Sequence, residues 1–98
     1  MNVEISKRAR RDSDRINARW SRHGDDTTLY AREFLEAVKH LGTVEHPGTP
    51  CPTKKRPHLM RILLEKSKCH VYFVVDEKRE LLTIVNVWNG QRGRAPKL

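Results

Sequence analysis

The chain has 98 residues, a formal net charge of +8 at pH 7 and a pI of about 10.0. This length suits one small domain over residues 1–98 with a modest core. No apolar run is long enough to span a bilayer, and the start does not read as a signal peptide. We therefore expect a cytoplasmic protein with no membrane partner and with free thiols at Cys51 and Cys69. The basic balance favours an anionic partner, either nucleic acid or an acidic protein.

The first part of the chain predicts a short strand followed by two helices. Val3 to Ile5 reads as the strand, and Ser6 is placed to cap a helix from Lys7 to about Arg22. Asp25 to Thr28 supplies capping residues for a second helix, which Gly42 is expected to end. Because the link is so short, the two helices should form an antiparallel αα-hairpin. The predicted core-facing residues are Ala9, Ser13, Ile16 and Trp20, then Tyr30, Phe34, Ala37, Val38 and Leu41.

The outer faces of the first predicted helix carry far more basic than acidic residues. The imbalance admits two interpretations: a solvated surface with some ion pairs, or an electrostatic surface for nucleic acid or an acidic partner. The cations are Lys7, Arg8, Arg10, Arg11, Arg15, Arg19 and Arg22, against Asp12 and Asp14.

The second part of the chain predicts a loop and then three strands. Thr43 to His58 has four prolines and no periodicity, so it reads as a loop. Strands are predicted at Leu59 to Lys66, Cys69 to Asp76 and Leu81 to Trp88. Their short links favour an antiparallel meander.

The last strand is apolar on both faces, although a helical hairpin can cover only one face of a sheet. The other face would leave Leu63 and Trp88 exposed, and exposed apolar patches usually mark binding sites. We expect a partner there: a peptide, a helix, or a second copy of the chain in a homodimer. Strict alternation places Leu81, Thr83, Val85 and Val87 on one face, and Leu82, Ile84, Asn86 and Trp88 on the other.

Basic residues cluster beside the predicted sheet. Arg92 and Arg94 follow the Asn89-Gly90 turn, where a flexible loop can present cations to a ligand. Metal-free RNA cleavage would need such cations together with a proton acceptor and a proton donor. His58 is a better acceptor candidate than His70, because a histidine on a strand is more often structural. The candidate cations for phosphate are Arg61, Lys54, Lys55 and Arg92.

No metal or cofactor is expected. The histidines and cysteines that come nearest to a zinc-ligand set do not have the usual ligand spacing. These four residues are Cys51, His58, Cys69 and His70.

Three segments carry a family resemblance: Arg61-Ile62-Leu63-Leu64, the run His70-Val71-Tyr72-Phe73-Val74-Val75-Asp76, and the closing run from Val85-Asn86-Val87-Trp88 to Ala95-Pro96. With the order of predicted elements, they make nearly the whole chain resemble the RelE/ParE family of bacterial toxins. The closing run looks more like the ParE-type plasmid-stabilisation branch. The resemblance implies an α+β fold in which a short strand and an αα-hairpin pack on a small antiparallel sheet in the order β-α-α-β-β-β.

The resemblance also implies a function. Family members are growth-inhibiting toxins held inactive by a cognate antitoxin encoded beside them. ParE-type members block DNA gyrase and are not nucleases, whereas RelE-type members cut messenger RNA on the ribosome and use a late tyrosine. Arg61 and Arg92 match the family's strand arginine and its arginine after the last strand, but no tyrosine follows Tyr72.

These implications favour a ParE-like toxin that is not an enzyme. A RelE-like mRNA endoribonuclease is the alternative, and a basic nucleic-acid-binding module is a third reading. The expected target-binding residues are Arg61, Arg92, Arg94, Lys54 and Lys55, the expected antitoxin-binding residues are Leu63 and Trp88, and the weak catalytic candidates are Arg61 and His58.

Overall fold

The computed structural model describes residues 1–23, 27–43 and 48–90. Two helices pack on one five-stranded sheet, so the predicted α+β class is confirmed. The elements are β1 (Asn2–Ile5), α1 (Lys7–His23), α2 (Leu29–Thr43), β2 (Thr49–Pro50), β3 (Met60–Leu64), β4 (Cys69–Asp76) and β5 (Leu81–Asn89).

The sheet has the order β1-β5-β4-β3-β2 and is mixed rather than antiparallel. From β2 to β5 neighbouring strands run antiparallel, as the meander prediction requires. β1, however, lies parallel to β5, pairing Asn2 with Leu81 and Ile5 with Ile84. The antiparallel prediction is wrong at this strand, because the two helices return the chain before the meander begins and leave β1 pointing the same way as β5.

The proline-rich loop contains a short strand that the sequence prediction missed. Thr49 and Pro50 of β2 pair with Arg61 and Met60 of β3. Pro50 is tolerated because β2 lies at the edge of the sheet, where a missing N–H breaks no inner ladder. The prediction of a loop without secondary structure over Thr43 to His58 is therefore wrong at these two residues.

A β-bulge changes the faces of β5. Tyr72 of β4 pairs with Asn86 and the next residue, Phe73, pairs with Ile84, so Val85 is an extra residue. Beyond the bulge the alternation is reversed. Val87 therefore packs with Ile84 on the helix side, and the predicted single face of Leu81, Thr83, Val85 and Val87 is wrong.

α1 begins as the sequence predicts and continues alongside β5. The Ser6 hydroxyl accepts the Ala9 N–H at 3.1 Å, which is the predicted N-cap. β1 pairs only with the first part of β5, from Leu81 to Ile84. The backbone of the next part of β5 makes hydrogen bonds with side chains at and near the start of α1. Ser6 donates its hydroxyl hydrogen to the Val85 carbonyl at 3.3 Å, and the Val87 N–H donates to Asp12 Oδ2 at 3.1 Å.

The main core lies between the helices and the sheet and contains the residues predicted for it. Trp20 and Phe34 both pack in it, as expected. The Tyr30 ring is buried there, and its hydroxyl shares a 2.8 Å hydrogen bond with Ser13 Oγ. α2 passes through Gly42 and ends one residue later, so the predicted stop at Gly42 is early by one residue.

The carboxylate of Glu33 on α2 fixes the turn between β3 and β4. It accepts the N–H groups of Lys66 at 2.8 Å and Ser67 at 2.9 Å, and the Ser67 hydroxyl at 2.6 Å. Ser67 is only 1% exposed, so these bonds satisfy polar groups that water reaches poorly.

Candidate functional site

The sheet face turned away from the helices, here called the open face, carries the predicted antitoxin-binding residues. The register forms a row across three strands with Leu63 on β3, His70 on β4 and Trp88 on β5. Leu63 is 48% exposed and Trp88 is half-buried. The structure thus brings the two predicted residues onto one face, on either side of a histidine.

A second row on the open face contains a cation and a buried phenol. Arg61 on β3 lies opposite Tyr72 on β4, which lies opposite Asn86 on β5. Burial raises the pKa of the Tyr72 hydroxyl, although a hydrogen bond from Arg61 works in the other direction. Arg61 is half-buried opposite this phenol, so it is more than a solvated surface charge.

The surroundings of His70 favour the neutral form of its imidazole. Burial lowers the pKa of its imidazole, and the positive charge of Arg61 lowers it further. The ring lies 6.4 Å from the Tyr72 ring, measured between centroids. A neutral imidazole beside an arginine is able to accept a proton or a hydrogen bond.

Two buried polar atoms of the open face lack hydrogen-bond partners within the part of the chain that the structure describes. They are His70 Nδ1 and Asn86 Nδ2, and Asn86 is only 2% exposed. A buried polar atom without a partner costs about 1–3 kcal/mol, so the two atoms are a source of strain in this part of the open face.

Part of the open face is covered by the loop that precedes β3. Leu59, Tyr72 and Val85 form a second small core, and Cys51 packs against it. The Cys51 N–H donates to the Leu59 carbonyl at 2.8 Å, which ties the loop to the sheet. The open face is therefore only half exposed, and its accessible part lies toward Leu63.

The predicted basic residues of this loop are exposed on an ordered turn. The Thr53 N–H donates to the Arg56 carbonyl at 3.0 Å, and Thr53 Oγ1 accepts the Arg56 N–H at 2.9 Å. Lys54 and Lys55 lie between them, and His58 follows; all three are exposed. Arg92 and Arg94, the remaining predicted target-binding residues, lie outside the described residues.

Comparison with solved structures identifies the fold. The chain matches a structure described as the chromosomal ParDE toxin–antitoxin system from P. aeruginosa, with a TM-score of 0.73 and 22% identity over 91% of this chain and 95% of that one. The chain has the RelE/ParE fold.

Two further structures share this fold at greater distance. The isolated E. coli RelE toxin matches with a TM-score of 0.54 and 15% identity over 90% of this chain and 82% of that one. The intact E. coli RelBE toxin–antitoxin complex matches with a TM-score of 0.50 and 15% identity over 98% of both chains. No protein-family model and no curated protein matches the sequence.

Sequence reasoning missed two residues of the open face. Tyr72 and Asn86 were read only as strand residues, because their burial and their position beside Arg61 depend on register.

The histidine and cysteine candidates do not come together, since no three His, Cys, Asp or Glu side chains in the described ranges are grouped as metal ligands. No described helix is long and apolar enough to cross a membrane.

Proposed function

We propose that this chain is the toxin of a toxin–antitoxin module and that it acts in the ParE-like manner. In this proposal it works in the cytoplasm, stops bacterial growth by binding DNA gyrase, and is neutralised by an acidic antitoxin. The observation that carries the proposal is the match in shape to the ParDE structure over nearly the whole length of both chains. The half-covered open face, with Leu63 exposed, supports a protein partner.

The ParE-like manner is favoured over mRNA cleavage by two observations. The TM-score is 0.73 with the ParDE structure and 0.54 with isolated RelE. No tyrosine follows Tyr72 in the sequence, so the late tyrosine expected of RelE-type cutters is absent.

A RelE-like endoribonuclease is the second candidate, because the open face places Arg61, His70 and Tyr72 side by side. In that reaction a neutral His70 would accept the proton of a ribose 2′-hydroxyl, and Arg61 would hold the phosphate. A proton donor for the leaving oxygen would still be required. The sequence-based choice of His58 over His70 has less support, because His58 is exposed on the loop whereas His70 adjoins Arg61.

The test is induced expression in bacteria without an antitoxin, scored by colony formation, alongside two assays of purified protein. We expect loss of colonies, inhibition of DNA supercoiling by gyrase, and intact messenger RNA in a translating extract. Cleaved messenger RNA with unaffected gyrase would favour the second candidate. Normal growth at verified expression, with no effect in either assay, would contradict both and leave the basic nucleic-acid-binding module.

A further inference from the structure

The segment between β2 and Leu59, residues 51–58, covers one end of the open face and is here called the strap. All eight of its residues are described, and six of their side chains are exposed. Thr53 is half-buried, but its hydroxyl bonds within the strap, accepting the Arg56 N–H. Cys51 is half-buried and packs against the second small core, so this one thiol side chain is the main apolar contact between the strap and the sheet.

Few backbone hydrogen bonds hold the strap on the sheet. The Cys51 N–H donates to the Leu59 carbonyl at 2.8 Å, and the strand that leads into the strap, β2, is two residues long. Pro52 and Pro57 have no N–H to donate. A segment with so little buried apolar surface and so few such bonds opens at a much lower free energy than the whole fold. Local opening of the strap should therefore precede unfolding of the main core.

Gly48, directly before β2, is placed to act as a hinge for this opening. Its φ is +82°, and an added Cβ would lie 2.8 Å from the Arg61 carbonyl oxygen. Hinges are a few positions at the ends of elements that absorb large changes in φ and ψ. Glycine at this position lets β2 and the strap move together without pressing a side chain against the backbone of β3.

The covered state carries an energetic cost beside the second small core. Asn86 follows Val85 of that core on β5 and pairs with Tyr72 of that core on β4. The Asn86 side chain is only 2% exposed, and its Nδ2 has no hydrogen-bond partner within the described part of the chain. Water can satisfy this amide only when the cover over the core is removed. The unpaired amide thus favours opening, because it destabilises the covered state alone.

We propose that the strap is a hinged cover that leaves the sheet while the main core stays folded. Opening separates β2 and Cys51 from β3 and exposes Tyr72 and Asn86 to water. The open face then has two states, and only the uncovered one presents the whole row of Arg61, Tyr72 and Asn86 to solvent. This conformational device goes beyond the proposed function and requires neither a target nor a partner.

The two free cysteines allow the opening to be measured. Cys51 lies in the strap, whereas Cys69 is 0% exposed in the main core. The purified chain is treated with dithionitrobenzoate at increasing urea below the unfolding transition, and mass spectrometry of tryptic peptides identifies the labelled thiol. Cys51 should react faster and with less urea dependence, because local opening exposes less surface than global unfolding. Equal urea dependence of the two thiols would overturn the proposal.

Asn86→Leu distinguishes opening from a Cys51 thiol that the reagent reaches in the covered state. Leucine has a similar size and no polar atom, so the covered state loses its unpaired amide. Labelling of Cys51 should slow by about tenfold. Asn17→Leu makes the same chemical change at an exposed position of α1 and should leave the rate unchanged. An unchanged rate in a folded Asn86→Leu variant would show that labelling needs no opening, and would overturn the proposal.

Leu59→Ala tests the same equilibrium in the opposite direction and keeps the proposal testable if Asn86→Leu does not fold. Leu59 is 1% exposed in the second small core, and removing most of its side chain weakens the packing beneath the strap. Labelling of Cys51 should accelerate by about tenfold or more relative to labelling of Cys69. Equal acceleration of both thiols would mean that this core opens only with the whole fold, which contradicts a separate strap motion.

Discussion

At the scale of single residues, Glu33 is the side chain whose loss should most directly destabilise the fold. Glu33→Ala removes the acceptor for three hydrogen bonds at the turn of Lys66 and Ser67. We expect a loss of about 1–3 kcal/mol in unfolding free energy, because Ser67 is buried. Urea denaturation measures this loss of unfolding free energy. The control is Glu36→Ala, an exposed residue of the same helix, and an equal loss there would contradict the assignment.

The same carboxylate makes stability depend on pH. Partial burial raises the pKa of Glu33. The hydrogen bonds from Ser67 and Lys66 lower the pKa by more than burial raises it, so the pKa lies below the ordinary value of 4.5. A lowered folded-state pKa means that this stabilisation is complete above pH 4.5 and is lost as the pH falls below it. Glu33→Gln should therefore show a smaller drop in melting temperature between neutral and acid pH than the wild type. An unchanged drop would contradict this prediction.

Arg61 has both a structural and a proposed functional role. From the sequence alone, an exposed arginine pairing with Glu65 would contribute little to folding, but in the structure Arg61 is half-buried opposite the buried Tyr72. Arg61→Ala should therefore cost about 1 kcal/mol of stability as well as toxicity. Tyr72→Phe removes the hydroxyl opposite Arg61 and keeps the cation. If both variants lose growth inhibition equally, Arg61 acts through folding rather than on the target.

Arg92 provides the corresponding test on the closing run. We predict that Arg92→Ala folds, binds the antitoxin and permits colony formation, because the family resemblance assigns this position to the target. The melting temperature of the purified variant, beside its gyrase assay, shows whether folding is intact. Full toxicity of the Arg61→Ala, Arg92→Ala double variant would remove both residues from the target site.

At the scale of elements, Gly48 controls how β2 joins the sheet. Its φ of +82° lies in the left-handed region, and an added Cβ would stand 2.8 Å from the Arg61 carbonyl oxygen. Gly48→Ala should lower the unfolding free energy by about 1–3 kcal/mol. Gly42→Ala is the matched control, because its Cβ would lie 3.4 Å from the Met1 carbonyl oxygen and 3.5 Å from Val3 Cγ2, which are ordinary contacts. Since alanine favours a helix over glycine, this change should add up to about 1 kcal/mol to the unfolding free energy. Equal effects of the two changes in chemical denaturation would contradict this account.

Local sequence patterns predicted most helices and strands. The features that they missed depend on pairing between strands far apart in the sequence. The Ser6 cap and the bounds of β4 follow from nearby residues, and the observed structure agrees with both. The parallel direction of β1 depends on the path of the two helices. The bulge at Val85 has no signature in its own residue type, because valine fits regular strands equally well.

The candidate site was predicted in part for the same reason. Leu63 and Trp88 were predicted to share an uncovered sheet face because both are large and apolar, and the strand register places them in one row. Their part in binding stays a prediction. Asn86 was placed on a face by strict alternation, without any sign that its amide nitrogen would be buried and without a hydrogen-bond partner among the described residues. Counting charges found the basic character of α1. That five of its six arginines share one side of the helix appears only when their spacing is placed on a helix.

At the scale of the whole molecule, net charge should control how fast the partner binds. The chain carries +8, so the acidic antitoxin that we propose should be attracted before contact. We predict that raising salt slows association strongly while changing dissociation much less. Stopped-flow measurement with the purified partner tests this. An association rate independent of salt would mean that apolar contacts alone guide the encounter.

Binding of the partner should also stabilise the folded state of the chain against unfolding. A partner at about 100 times its dissociation constant adds roughly 2.7 kcal/mol to the unfolding free energy, whatever its contacts. We therefore predict a melting temperature that rises with antitoxin concentration. An unchanged melting temperature in a verified complex would mean that the partner binds the unfolded chain equally well.

The Asp12 carboxylate that accepts the Val87 N–H also affects how non-toxic variants should be interpreted. Without it, the uncovered part of the β5 edge offers an unpaired amide to a strand from another molecule. Asp12→Ala would then promote self-association. If the chain is the toxin that we propose, cells expressing this variant would survive because the protein precipitates. A selection for survivors will collect such escape mutants together with true target-binding mutants. Only the amount of protein left in the soluble fraction separates the two groups.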